Sequence, residues 1–200
     1  MRLIKEMYPD VECALTHENP LQLLVSTILS AQCTDERVNK VTPELFRRFK
    51  TARDFASVPR EELEDLIRST GFFRSKAKSI QGTSEKIADD YGGRVPDTMD
   101  ELVRLPGVGR KTANVVLGTA FGKNDGVVVD THVGRIARRL GLTKHNDPEK
   151  VEQDLMRFVP REEWTMFSHR LIWHGRRLCK AIRPKCPECK LASLCPSAEL

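Results

Sequence analysis

Leu105-Pro106-Gly107-Val108-Gly109-Arg110-Lys111-Thr112-Ala113-Asn114 decides how this chain is read. Two glycines one residue apart stand between an amphipathic run ending at Leu105 and a helix-like run from Thr112 to Phe121. Upstream, Thr98-Met99-Asp100-Glu101 has the spacing of a capping box, with Leu102 and Leu105 on the face behind it. The pattern predicts a helix, a tight glycine hairpin and a second helix. Gly107 and Gly109 allow positive φ and leave the backbone bare to an approaching partner. Amides at the start of the second helix point outward, and the helix dipole adds partial positive charge there. Such an end seats a phosphate. Lys111 stands where a seated phosphate leaves its amine beside the sugar. A glycine hairpin without that lysine is also an ordinary connection.

Outward from the hairpin, every clear period is helical. Asn19-Pro20 opens a helix with Asn as N-cap and Pro at the first helical position. Leu21, Leu23, Leu24, Val25, Ile28 and Leu29 make it apolar on nearly every side, so it is buried. Polar character returns at Ser30-Ala31-Gln32. Asp35 is positioned to cap a second helix through Val38, Val41, Leu45, Phe46 and Phe49. Further helices are predicted from Arg60 to Ser69, where Gly71 stops the run, and from Ser75 to Asp90. Val127-Val128-Val129 is a short extended lead into Asp130. After it come Thr131 to Leu140, then Glu149 to Phe158 behind Asp147-Pro148, then Arg161 to Leu178. No strand period of useful length, internal repeat or low-complexity tract interrupts them. The fold class is all-α.

Two hundred residues suffice to bury a real core. The 33 basic against 28 acidic residues give a formal charge of +5, which fits a nucleic-acid partner. Aromatic residues at 6% are too few for a platform that stacks single strands. Met1 to Tyr8 has no signal-peptide core, and no run approaches the roughly 20 apolar residues of a membrane span. The expected partners therefore exclude a membrane, and the expected compartment is the cytoplasm, where thiols stay reduced. Four of the six cysteines are spaced Cys179-x6-Cys186-x2-Cys189-x5-Cys195. Four thiolates so close in sequence suit tetrahedral zinc or an iron–sulfur cluster. Cys13 and Cys33 fall outside that set and carry no assigned role.

From about Asn19 to Cys195 the chain resembles the endonuclease III family of helix–hairpin–helix DNA glycosylases. The resemblance rests on Ser30-Ala31-Gln32, on Leu105 to Val116, on Val129-Asp130-Thr131-His132 and on the terminal cysteines. It implies two helical lobes with a DNA cleft between them. One is a six-helix barrel over residues 18–122, containing the helix–hairpin–helix at about 98–121. The other is an iron–sulfur domain built from residues 1–17 and 123–200, with its cluster loop at 179–195. It further implies a bifunctional DNA glycosylase and abasic-site lyase of base excision repair. The partner is double-stranded DNA containing damaged pyrimidines or abasic sites, met by a monomer at the nucleoid. The implied cofactor is a [4Fe-4S] cluster on Cys179, Cys186, Cys189 and Cys195.

The same resemblance assigns Lys111 as nucleophile and Asp130 as the essential carboxylate. From Lys111 the helix runs away for roughly 15–17 Å, and the eight residues Gly122 to Val129 can return about 26 Å. An amine attacks only when neutral, and a helix N-terminus and a dry cleft both disfavour an ammonium. By position alone Asp130 is equally an N-cap for the helix that follows it. Extruding a base leaves a hole, which Gln32 matches in filling and Phe72 matches in wedging, although the family commonly carries leucine there. Gly107, Val108, Gly109 and Arg110 would present backbone to phosphate. His132 would contact a phosphate or merely complete its helix start. Lys180, Arg183 and Lys185 form a basic loop against DNA or a solvated one. Two rival readings share these residues. A mismatch adenine glycosylase lacks a lysine at this position, and Lys111 and Ser30-Ala31-Gln32 count against it. The other is a non-catalytic DNA-binding module, with or without zinc.

Overall fold

The computed structural model describes residues 1–199. The described residues form eleven α-helices and four short 3-10 turns, with no strand among them. In chain order the helices are α1 (Arg2–Met7), α2 (Pro20–Leu29), α3 (Asp35–Arg48), α4 (Ala52–Ser57), α5 (Arg60–Ile67) and α6 (Phe73–Asp90). They continue as α7 (Met99–Leu102), α8 (Arg110–Ala120), α9 (Thr131–Arg139), α10 (Pro148–Phe158) and α11 (Trp164–Arg177). Two compact units result: Ala14–Lys123, and Met1–Cys13 together with Asn124–Leu200.

In the unit Ala14–Lys123, α2 is the buried helix its composition demands. Leu23, Leu24, Val25 and Leu29 are wholly enclosed, and the Asn19 side chain accepts the Gln22 amide at 3.0 Å. α6 lies along α4 and α5 and buries Ala77, Ile80, Thr83, Ser84 and Ile87, a row at helical spacing. Several helix starts differ from those read in the sequence. Thr34, not Asp35, caps α3, because its hydroxyl oxygen reaches the Arg37 amide at 3.3 Å. α6 begins at Phe73, two residues before Ser75, and α8 begins at Arg110. α4 escaped the periodicity altogether; a Thr51–Asp54 capping box starts it, with each side chain bonded to the other's backbone. The Arg60 run gives way to a 3-10 turn, Arg68–Thr70, before Gly71.

The other unit closes around Ile4, Val127, Val129, Val133, Ile136, Val151, Leu155, Trp164, Phe167 and Leu171. α1 packs on α11, and the Lys5 ammonium and Arg170 guanidinium converge on the Glu163 carboxylate at 2.6 and 2.8 Å. Those bonds, Lys5 first, hold the Glu163 carboxyl below the usual carboxylate range. Val127 to Val129 belong to no strand, and the Val128 amide donates to the Ser168 hydroxyl at 2.9 Å.

The hairpin between α7 and α8 rests on α6. The Thr83 hydroxyl donates to the Pro106 carbonyl at 2.6 Å, and Gly82 faces the Pro106 ring. Gly107 has φ +75°, and a Cβ there would lie 2.5 Å from Ser79 Oγ. Gly109 has φ −93°, with open space where a Cβ would go. Only the first glycine therefore uses the left-handed region, which corrects the expectation for Gly109. We expect Gly107→Ala to lower stability by about 2 kcal/mol, a Tm loss of about 4–8 °C for a chain of this size. Gly109→Ala should leave the thermal melt unchanged, and equal losses from both substitutions would contradict this account.

Candidate active site and cysteine centre

Leu102, Leu105 and Val108 anchor the hairpin inward, while Pro106, Gly107, Gly109, Arg110 and Lys111 are exposed. Val108 thus contributes its side chain to the core, and its amide is spent on the Leu105 carbonyl at 3.1 Å. The Thr98 capping box does not form: the Thr98 hydroxyl donates directly to the Glu101 carboxylate at 2.6 Å. At α8 the N-cap is Gly109, so no side chain caps the first turn. The helix start carries the partial positive charge of the helix dipole, and no acidic residue lies in its first turn. Lys111 is the second residue of α8 and faces solvent. The dry surroundings expected for it are not a property of the chain alone.

Gln32 and Phe72 share an unusual backbone. Both lie in the left-handed region, with φ 52° and 49°, and the third described non-glycine there is Arg183 at 52°. Such residues cost of order 1–3 kcal/mol and persist where their surroundings hold them. All three belong to the set that the sequence assigns to DNA contact. Gln32 is exposed in the turn between α2 and α3, and Phe72 presents 66% of its surface to solvent at the start of α6. An aromatic ring so exposed, on a strained backbone, adds nothing to the core.

In the unit carrying the cysteines, Asp130 is the N-cap of α9 and accepts the Val133 amide at 2.8 Å. His132 is half-buried against α11, where a Cβ on Gly175 would lie 2.8 Å from its Nδ1. Burial above all, with Arg135 and Arg176 adding to it, lowers its pKa despite the opposing pull of Asp130. A neutral imidazole turned toward α11 fits the completion of a helix start better than a phosphate contact.

Further along α9, two arginines that the sequence reading passed over reach the cysteine loop. Arg135 donates to the Cys179 carbonyl at 2.9 Å and the Gly175 carbonyl at 3.2 Å. Arg139 donates to Cys179 Sγ at 3.3 Å, the Lys180 carbonyl at 2.7 Å and the Ala181 carbonyl at 3.0 Å. The helix that begins at Asp130 is therefore tied to the first cysteine and to the basic residues after it. Their only advance signal was the basic face of Arg135, Arg138 and Arg139.

Cys179, Cys186, Cys189 and Cys195 line one cavity together with Ile136, Leu140, Leu178 and Leu191. No three His, Cys, Asp or Glu side chains among the described residues converge on a single point as ligands of one ion would. Cys189 Sγ receives the Leu191 amide at 3.4 Å and stands 3.7 Å from His174 Nε2. Burial pushes the Cys189 thiol up, and the charges of the other three cysteines push it further. His174 is buried beside Tyr8, whose hydroxyl lies 3.2 Å from Nδ1, and burial brings its pKa down to about 4. Neutral at ordinary pH, it carries its proton on one of these two nitrogens, with Nδ1 facing Tyr8 and Nε2 facing the sulfur. Lys180, Arg183 and Lys185 are exposed, with Lys185 paired to Glu188 at 3.2 Å. Among the described residues no helix is long and apolar enough to cross a membrane.

Residues 25–161 match the family described as HhH-GPD superfamily base excision DNA repair protein, and the chain belongs to that family. Endonuclease III of Synechocystis sp. is 57% identical over 197 residues, covering 98% of this chain and 90% of that one. Endonuclease III of Bacillus subtilis is 53% identical over 193 residues, 96% and 88% of the two chains. A solved non-covalent endonuclease III–DNA complex superimposes with a TM-score of 0.93 at 50% identity, over 98% of this chain and 91% of that one. A trapped endonuclease III–DNA covalent intermediate does so with a TM-score of 0.93 at 49% identity, over 98% and 92%. At this likeness the chain is a base excision repair enzyme, a DNA glycosylase with abasic-site lyase activity.

Proposed function

We propose that Lys111 is the nucleophile of this enzyme and Asp130 its essential carboxylate, acting on duplex DNA that carries oxidised pyrimidines or abasic sites. The observation that supports the reading most is the start of α8, where an exposed amine stands two residues beyond a glycine cap that has no side chain. Open amides there take a phosphate oxygen, and the same turn holds the amine over the adjoining sugar. The free amine attacks C1′ and the damaged base leaves with the bonding electron pair. Loss of a proton from nitrogen and opening of the sugar ring give an imine. The imine acidifies C2′, a proton leaves that carbon, and the 3′ phosphate departs by β-elimination. Asp130 takes the proton from the attacking amine, or holds negative charge against the cationic sugar as the base leaves. DNA laid over the hairpin supplies the desolvation that the free chain lacks.

Gln32 and Phe72 fill and wedge the stack vacated by the extruded base. A side chain already held in place before binding spares the ordering that a mobile one would need. Lys180 and Arg183 lie against phosphate, while Lys185 competes with its pairing to Glu188. The donor set at Cys179, Cys186, Cys189 and Cys195 fits a [4Fe-4S] cluster. Four sulfurs ring a cavity with aliphatic walls instead of meeting at a point, and their mutual repulsion is relieved by a cationic metal core. Arg139, the Leu191 amide and His174 stand where thiolate sulfur accepts hydrogen bonds. When bound, the cluster supplies four metal–thiolate links that fix the loop from residue 179 to 195. We place the enzyme in the cytoplasm at the nucleoid, acting as a monomer.

Three outcomes test this reading. Borohydride added to the protein with a thymine glycol duplex should trap a covalent protein–DNA band. Lys111→Ala should abolish the band and keep duplex binding; trapping at the wild-type level would remove the nucleophile assignment. Asparagine also caps helices, so Asp130→Asn should keep the thermal melt while losing most turnover, separating the two roles of that side chain. Purified protein should absorb broadly in the visible and contain iron, with Cys189→Ser losing both; a colourless zinc protein would refute the cluster. Lys180→Ala should weaken binding on all sequences alike and reduce the salt slope by about 1. An unchanged slope returns that loop to solvent.

A further inference from the structure

Lys76 lies on the inward face of α6 with only 4% of its surface exposed, a rare place for a charged side chain. Its ammonium donates to the Thr70 carbonyl at 2.7 Å, and Thr70 is itself 2% exposed. Its backbone amide donates to the Phe72 carbonyl at 3.0 Å. One residue therefore grips the chain on both sides of Gly71 and holds the turn that carries Phe72 in its left-handed conformation. The Thr70 hydroxyl, donating to the Ile67 carbonyl at 2.8 Å, fixes the near end of the same turn. In the same unit Cys33 follows Gln32, the other left-handed residue there. The Cys33 amide closes that turn on the Ser30 carbonyl at 3.1 Å.

We infer that Lys76 is a positioning residue for base extrusion, a buried strut that holds the Phe72 wedge rigid. The inference rests on the reading of Phe72 as the wedge. A ring with two-thirds of its surface in water and no partner to orient it keeps its place only if its backbone is clamped. The clamp is a cation bonded to a buried carbonyl, stronger than a neutral bond and absent from any surface that DNA touches. Lys76 therefore acts on extrusion through Phe72 and has no part in the chemistry at the sugar.

The test is a double-mutant cycle on single-turnover excision of thymine glycol, with circular dichroism confirming that each variant is folded at the assay temperature. Two duplexes are compared: one with the lesion paired to adenine, the other with the lesion opposite an abasic gap, where less stacking resists extrusion. Phe72→Ala should slow the paired duplex about tenfold and the gapped one much less. Lys76→Met, which keeps the volume and removes the donor, should show the same selective loss and add nothing further in the Phe72→Ala background. If Lys76→Met does not fold, Lys76→Gln, too short to reach Thr70, takes its place. Losses that multiply in the double variant, or fall equally on both duplexes, overturn the role of Lys76 while leaving the wedge intact. An unchanged rate in Phe72→Ala overturns the wedge reading itself.

Discussion

The contact between α6 and the hairpin governs the unit Ala14–Lys123. The Thr83 hydroxyl holds the Pro106 carbonyl, the Pro106 ring lies on Gly82, and Gly107 sits so close to Ser79 that no side chain fits between them. Hydrogen bond and missing methyl groups work together here: the backbones approach closely because two glycines permit it, and the hydroxyl fixes the register. The same helix begins at the Phe72 turn and carries Lys76 one turn later. From residue 72 to residue 83 it advances roughly 16 Å. One rigid rod thus sets both the exposed ring and the bare amides at the head of α8. A core repacking that tilts α6 would move the two together, so their separation is protected by eighteen helical residues and not by any loop.

Asp130 serves local structure as the N-cap of α9, and the proposed chemistry would use the same side chain. Capping α9 consumes one carboxylate oxygen on the Val133 amide and leaves the other free. It also aims the carboxylate along the axis of a helix whose far end is bonded through Arg135 and Arg139 to the Cys179 region. Anything that fixes Cys179 therefore fixes the direction of α9, and α9 fixes Asp130. On the proposed reading, a metal centre that takes no part in bond making would still bear on the position of Asp130 through that chain of contacts. Four thiolates this close would repel one another, so ionising them together is favourable only with a cation among them.

Much of this was legible in the chain. The long helices announced themselves by spacing, and Asn19-Pro20 and Asp147-Pro148 marked their starts. The motifs around Lys111 and Asp130 marked them as candidates, and the cysteines stood out by their intervals. What escaped has physical causes. α1 and α4 are six residues each, too short for a period of 3.6 to declare itself, although Thr51 and Asp54 stood at capping-box spacing. Thr34 and Asp35 are both good caps, and only the backbone geometry at Thr34 decides between them. The start of α6 was misplaced because its N-cap is a phenylalanine in a conformation that no propensity favours. Lys76 left no clear trace, since the buried row of α6 also contains Thr83 and Ser84. Its partner is a carbonyl, and backbone partners are invisible in a sequence.

The left-handed residues bring these observations to one point. Glycine would adopt the conformation of Gln32, Phe72 or Arg183 without strain, and ordinary turn chemistry would select it. The chain places glycine where only shape is required, at Gly71, Gly107 and Gly141, each with positive φ. It accepts strain where a side chain must project from the tip of a turn into something outside the protein. A strained residue in a mobile loop would relax into the β or right-handed region as soon as nothing held it. Phe72 does not relax because Thr70 and the first turn of α6 are bound to Lys76 on both sides of it. Arg183 does not because Arg139 holds the Lys180 and Ala181 carbonyls just before it. In each case a cation bonded to backbone carbonyls, buried at Lys76 and partly exposed at Arg139, holds the turn from which an exposed side chain projects.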